Sequence, residues 1–87
     1  MSSADHLKIP PAALGDGKSF ELLRVWVASG RQHVSLRTDV WSDAAAWGIM
    51  LADLARHIAL SHASTYDADV AAILSRVKAG FDAEFGS

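Results

Sequence analysis

The chain has 87 residues, of which 51% are hydrophobic and 21% are charged, and it has no cysteine. This length allows one small domain with a thin core, and the apolar content excludes a disordered chain. Eight Lys and Arg against ten Asp and Glu give a formal net charge of −2, so the overall charge does not point to nucleic acid or an anionic membrane. The lack of cysteine excludes disulfides, thiolate metal sites and thiol nucleophiles.

Residues 1–18 form the first segment, which we expect to be an extended or mobile arm. It contains the clusters Ile9-Pro10-Pro11 and Gly15-Asp16-Gly17, which interrupt regular structure. The first eight residues carry charged side chains without an apolar run, which is not the pattern of a signal peptide. We expect the remaining residues, 19–87, to form a single domain.

The longest apolar stretch covers residues 44–63. Asp53, Arg56 and His57 interrupt it near its middle. Charged side chains there make a membrane span costly. We therefore expect no membrane contact and a cytoplasmic protein of bacterial type.

Two runs rich in β-forming residues, 20–28 and 32–38, are separated by Ser29-Gly30. This pattern predicts an antiparallel hairpin with a two-residue turn. The turn would pair Trp26 with His33 and Val25 with Val34. One face would then be apolar, and we expect it to be the core face: Leu23, Val25, Val27, Val34 and Leu36.

Two helices are predicted after the hairpin. The first has Ser42 or Asp43 as its cap, Trp41 packed as a staple against its first turns, and apolar residues at helical spacing. Its main apolar stripe contains Trp47, Met50, Leu51, Leu54 and Ile58. The second helix is predicted over about 67–84, with Thr65 or Asp67 as its cap.

These elements predict an α+β fold in which an antiparallel hairpin is followed by two helices packed on one face (β-β-α-α). A two-stranded ribbon is marginally stable and has two unpaired edges. We therefore expect a homodimer in which the sheet is extended or covered by the second copy. A second Ala-rich face of the first helix is the candidate helical contact, together with Gly48, whose missing side chain would allow close approach of another backbone. This candidate dimer helix face contains Ala45, Ile49, Ala52, Arg56 and Ala59.

Several blocks resemble an uncharacterised bacterial family. They are Leu23-Arg24-Val25-Trp26, residues 32–37, Ala45-Ala46-Trp47-Gly48 and residues 53–57, with a similar ending at residues 80–85. The chain resembles the domain-of-unknown-function family numbered 5076, found mainly in alphaproteobacteria. The resemblance covers about three-quarters of the chain, from Phe20 to Phe85. It implies one small bacterial domain, and it implies no activity, cofactor or catalytic residue.

The hairpin face opposite the predicted core is the candidate ligand or partner surface. We call it the outer hairpin face, and it contains Leu22, Arg24, Trp26, Arg31, His33 and Arg37. Arginines around an aromatic side chain could hold a carboxylate or phosphate, or stack on nucleic acid bases. The arginines could instead cover Trp26 and Leu22, or pair with carboxylates such as Glu21 and Asp39 of a neighbouring chain. Its mixed composition favours a protein interface, and nucleic acid is the least favoured partner.

The remaining polar clusters do not form a recognisable catalytic or metal site. Asp53, His57 and Ser61 follow at intervals of four residues, so they project in parallel from one helix without an oxyanion hole beside the serine. His57 and His62 are five residues apart and would point about 140° away from each other, unlike a helical zinc pair. We therefore predict no metal, no cofactor and no catalytic residue. An enzyme would require a site shared between two chains.

Two hypotheses for the function remain. The first is a small non-catalytic interaction or assembly protein that forms a homodimer and uses the outer hairpin face. The second is a binding protein for a small anionic metabolite, with Arg24, Trp26, His33 and Arg37 as its pocket.

Overall fold

The computed structural model describes residues 5–86. Its elements are a helical turn α1 (Pro11–Leu14), strands β1 (Leu23–Ala28) and β2 (Arg31–Leu36), and helices α2 (Ala45–Tyr66) and α3 (Val70–Phe85). This order confirms the β-β-α-α arrangement and the α+β class. The chain divides into two compact units, one ending at Val40 and the other beginning at Trp41. The single domain over residues 19–87 stays a prediction, and residues 1–4 of the predicted arm lie outside the described residues.

The segment predicted as an extended arm contains one turn of helix. Pro11 occupies its first position, and the backbone N–H groups of Ala13 and Leu14 donate to the Pro10 carbonyl. Proline is favourable at this position because its fixed φ is close to the helical value and its missing N–H would have no partner there. The segment thus contains one helical turn at Pro11–Leu14, and its description as an extended or mobile arm stays a prediction.

The hairpin has the predicted turn and the predicted register. Strand β1 pairs antiparallel with β2, with Val25 opposite Val34 and Trp26 opposite His33. The turn residues Ser29 and Gly30 have φ of 54° and 71°. Two positive φ values in succession are typical of a type I′ turn, whose twist matches that of the two strands.

The apolar hairpin face, formed by Leu23, Val25, Val27, Val34 and Leu36, is largely exposed. Val34 is 47% exposed, Val25 49%, Leu36 54% and Val27 79%, whereas Leu23 is half-buried. The two-stranded sheet provides no third strand among the described residues. These side chains lie at the surface of the hairpin unit, and their role as a core face stays a prediction.

Helices α2 and α3 form an antiparallel pair joined by three residues. Asp67 ends α2 in the left-handed conformation, with φ of 50°. The carboxylate of Asp69 accepts a hydrogen bond from the backbone N–H of Ala72 and so caps α3. The predicted caps of α3, Thr65 and Asp67, are wrong because the chain is still finishing α2 at both positions.

The contact between the two helices uses small side chains of α2. Ala59 is fully buried and Ala63 is 5% exposed. On α3, the half-buried side chains are Ile73, Leu74 and Val77. The larger apolar stripe of α2 lies mostly on another side of the helix, where Leu54 and Ile58 remain exposed, and Leu51 borders the groove next to α3. Alanines allow the helix axes to approach closely, so the stripe with the largest side chains is not the one that α3 covers.

The start of α2 agrees with the predicted staple. The rings of Trp41 and Trp47 meet edge to face, with centroids 5.1 Å apart. The Asp43 carboxylate accepts a hydrogen bond from the N–H of Ala45. Across the described residues, no helix combines the length and the apolar character that a membrane crossing needs.

Candidate functional site

The outer hairpin face has the composition that the sequence predicted, because the register places Arg24, Trp26, His33 and Ser35 on one side of the ribbon. Leu22 and Trp26 are half-buried. The guanidinium carbon of Arg24 lies 5.9 Å from the centroid of the Trp26 ring. Arg24 therefore covers part of the indole, as in the structural alternative given above.

Glu21 is the ion-pair partner of Arg24. Both Nε and Nη2 of Arg24 donate to the same carboxylate oxygen, at 3.2 and 2.9 Å. The two side chains are about half exposed, so solvent screens the pair and its contribution to stability is small. The ion pair does affect ligand binding, because an incoming anion would have to compete with Glu21 for Arg24.

Arg37 is also engaged by its own chain. Its Nε donates to the backbone carbonyl of Glu21 at 3.1 Å, and its guanidinium carbon lies 5.4 Å from the centroid of the Phe20 ring. These contacts tie the segment before β1 to the end of β2. Arg37 is thus part of the structure that closes the open end of the hairpin.

His33 belongs to the turn end of the hairpin. Its Nε2 donates to the Ala28 carbonyl at 3.1 Å. Arg31 is exposed next to the turn and is paired in register with Ala28. The structure therefore places His33 and Arg31 at one end of the hairpin, and the Glu21 contacts of Arg24 and Arg37 at the other.

A shallow pocket of about 350 Å³ lies at the open end of the hairpin. Its charged lining residues are Glu21, Arg24, Arg37 and Asp39. Two carboxylates balance two guanidinium groups, so the pocket has no excess of positive charge. It is not preorganised for an anion in the way that convergent unpaired arginines would be.

A second, more apolar groove of about 480 Å³ lies between α2 and α3. Gly48, Leu51 and Ala55 line it from α2, and Val77 and Phe81 line it from α3. A Cβ atom added at Gly48 would meet nothing within 4 Å. The predicted close approach of another backbone to Gly48 is therefore absent within the described residues, and the glycine leaves open space.

The candidate dimer helix face overlaps the side of α2 that faces α3. Ala59 is fully buried in its own chain, and Ala52 and Arg56 line the groove next to α3. Ala45 and Ile49 are exposed. Ala52 and Arg56 are exposed as well, so Ala59 is the one residue of this face that its own chain buries.

The histidines of α2 form local contacts. His57 Nε2 lies 3.2 Å from a carboxylate oxygen of Asp53, and the His62 ring lies 4.6 Å from that of Tyr66. Each contact joins two surface residues that are one helical turn apart. Within residues 5–86, no group of three or more His, Asp or Glu side chains is placed to hold a metal ion.

The role of Glu21 was not predicted correctly from the sequence. The sequence suggests Glu21 as a partner for arginines of a neighbouring chain, whereas it binds Arg24 of its own chain through its side chain and Arg37 through its carbonyl. The three-residue spacing of Glu21 and Arg24 was the available signal for the first contact. The second contact joins residues 16 apart in the sequence, and it depends on the hairpin register.

Comparison with known proteins gives the family and the fold. A family model described as a domain of unknown function, DUF5076, matches residues 6–87. The chain belongs to this family. Among solved structures, a protein of the photosynthetic bacterium Rhodopseudomonas palustrus, provisionally described as a pyruvate dehydrogenase, is 29% identical, with a TM-score of 0.77. That match covers 100% of this chain and 88% of the other. No curated protein matches the chain significantly.

Proposed function

We propose that this domain is a non-catalytic assembly protein that works as a homodimer and associates through its hairpin. The observation that carries this proposal is the exposure of the apolar hairpin face, where Val25, Val27, Val34 and Leu36 are each about half exposed or more. Apolar surface of this kind marks a protein contact more often than a solvated face. An isolated two-stranded ribbon is also marginally stable, which favours a partner that adds strands or a second layer.

The outer hairpin face is the weaker candidate for the contact. Arg24 is paired with the Glu21 carboxylate and covers Trp26, and Arg37 donates to the Glu21 carbonyl. The same contacts weaken the alternative of a pocket for a small anionic metabolite. The name of the Rhodopseudomonas relative provides no residue role that could be assigned to positions in this chain, so no dehydrogenase activity is proposed.

The test is the mass of the full chain in solution across a range of concentrations, measured by native mass spectrometry. We expect a dimer, and we expect Val27→Lys to raise its dissociation constant by about tenfold or more, because a charged side chain would replace an apolar contact between the two copies. Ser35→Lys is the matched control, since Ser35 is an exposed strand residue on the outer hairpin face.

Each outcome of this experiment is decisive. A monomer at every concentration would contradict the proposal. A dimer that is weakened by Ser35→Lys but not by Val27→Lys would show that the two copies contact each other through the outer hairpin face.

A further inference from the structure

The hydrogen-bond pattern of the hairpin identifies which backbone groups are free at its edges. The N–H of Arg37 donates to the carbonyl of Leu22 at 2.9 Å, so this pair is a hydrogen-bonded pair of the ladder. Hydrogen-bonded and non-hydrogen-bonded pairs alternate along antiparallel strands. In the register observed here, Leu23, Val25 and Val27 therefore direct their N–H and C=O groups away from β2.

The β1 edge is also unprotected. In the described part of the chain the sheet has two strands, so β1 has no second neighbouring strand. Natural edge strands are commonly protected by charged side chains, above all lysine, by proline or by a bulge, and the one charged side chain of β1, Arg24, is paired with Glu21. The sequence of β1, Leu-Arg-Val-Trp-Val-Ala, has no proline and no lysine, and its register is continuous over all six residues.

We propose that two copies of the chain pair through their β1 edges, antiparallel, about a two-fold axis at Val25. This inference rests on the proposed homodimer and names its contact. In this register Val25 lies opposite the partner's Val25, and Leu23 lies opposite the partner's Val27. Every outward N–H and C=O of the three edge residues then has a partner, and the two hairpins form one four-stranded sheet.

The side chains favour this register. On one face, only apolar residues meet across the axis. On the other face, Arg24 lies opposite the partner's Trp26, and a guanidinium over an indole is a favourable cation–π pair. Moving the axis to Arg24 would place Arg24 opposite the partner's Arg24, and like charges directly opposite each other are destabilising. Moving the axis to Trp26 would place Leu23 opposite the Ser29-Gly30 turn of the partner, where there is no strand residue to pair with it.

The β2 edge is less suitable for self-pairing. Its outward backbone groups belong to Gln32, Val34 and Leu36, so the equivalent axis lies at Val34. That arrangement would place Arg31 opposite the partner's Arg37, again a pair of like charges. Gln32 would also lie opposite the partner's Leu36, which pairs a polar side chain with an apolar one.

Single cysteines test the register directly, because the chain has none of its own. Val25→Cys would place two thiols at a Cα separation of about 5.5 Å, within disulfide range. Val34→Cys is the matched control, since Val34 has nearly the same exposure, on the same face. In the four-stranded sheet its thiols would be about 14 Å apart, which is three strand spacings. Under mild oxidation we expect the linked dimer to form at least about tenfold faster for Val25→Cys.

Proline provides a second test that does not depend on oxidation. Neither Val25 nor Val34 donates its N–H within the hairpin, so Val25→Pro and Val34→Pro leave the ladder of one chain intact. We expect Val25→Pro to abolish the dimer and Val34→Pro to retain it, with circular dichroism confirming that both variants fold.

The possible outcomes separate this inference from the proposed function. Faster crosslinking of Val34→Cys, or equal rates for both variants, in a chain that is still dimeric would overturn the β1 pairing and leave the assembly role standing. Retention of the dimer in Val25→Pro would have the same meaning. A chain that is monomeric without any substitution would remove both proposals.

Discussion

The glycines of this chain illustrate how one residue type has opposite structural roles. Gly30 has φ of 71° and belongs to the hairpin turn, where a side chain would be strained. Gly48 lies inside α2, and a Cβ atom there would meet nothing within 4 Å. A glycine in a helix interior costs about 1 kcal/mol relative to alanine, so Gly48 lowers the stability of α2.

We therefore expect Gly48→Ala to raise the free energy of unfolding by about 0.5–1 kcal/mol, measured by urea denaturation. Gly30→Ala is the control, and it should lower the same quantity because alanine is unfavourable at positive φ. A Gly48→Ala variant that folds well but no longer dimerises would show that the second copy contacts this glycine, as the sequence first suggested.

At the scale of the elements, α2 and α3 are joined by a short connection of three residues. Asp67 ends one helix in the left-handed conformation, and Asp69 caps the next. We expect Asp69→Ala to destabilise the domain by about 0.5–2 kcal/mol, because the N–H of Ala72 loses its acceptor.

The control for this substitution is on the same helix. Asp82 is a surface residue that pairs with Lys78 one turn away. Loss of such a pair costs only a few tenths of a kcal/mol, so Asp82→Ala should change the thermal midpoint little. Equal effects of the two substitutions would contradict the capping role of Asp69.

At the scale of the whole molecule, only Ala59 and Ala63 count as buried apolar residues among those that the structure describes. A single chain with so little buried apolar surface gains little from folding alone. If a second copy provides the remaining burial, stability depends on mass action. We therefore expect the Tm of the full chain to rise with protein concentration, measured by differential scanning calorimetry.

The same measurement distinguishes the alternative ligand hypothesis. Small carboxylate or phosphate anions should leave the Tm unchanged, because Glu21 already occupies Arg24. A rise in Tm with such an anion that is lost in Arg37→Ala, combined with a Tm that does not depend on protein concentration, would favour anion binding over assembly.

Local rules were sufficient for much of the fold and for part of the candidate site. The turn at Ser29-Gly30 and the register that places Arg24, Trp26 and His33 on one face follow from alternation and turn length, which act over a few residues. The staple of Trp41 on Trp47 is equally local. The β-β-α-α order was predictable because each of these signals lies within its own segment.

Tertiary structure decided which surfaces are covered. Both sides of α2 are apolar in the sequence, and periodicity does not state which one its neighbour will use. The three-residue connection brings α3 onto the side where alanines permit close approach, so Ala59 and Ala63 are buried and Leu54 and Ile58 remain exposed. The engagement of Arg37 by Glu21 likewise requires two segments to meet in space. The sequence by itself determined the elements and the faces they present, and only packing between distant segments selected among those faces.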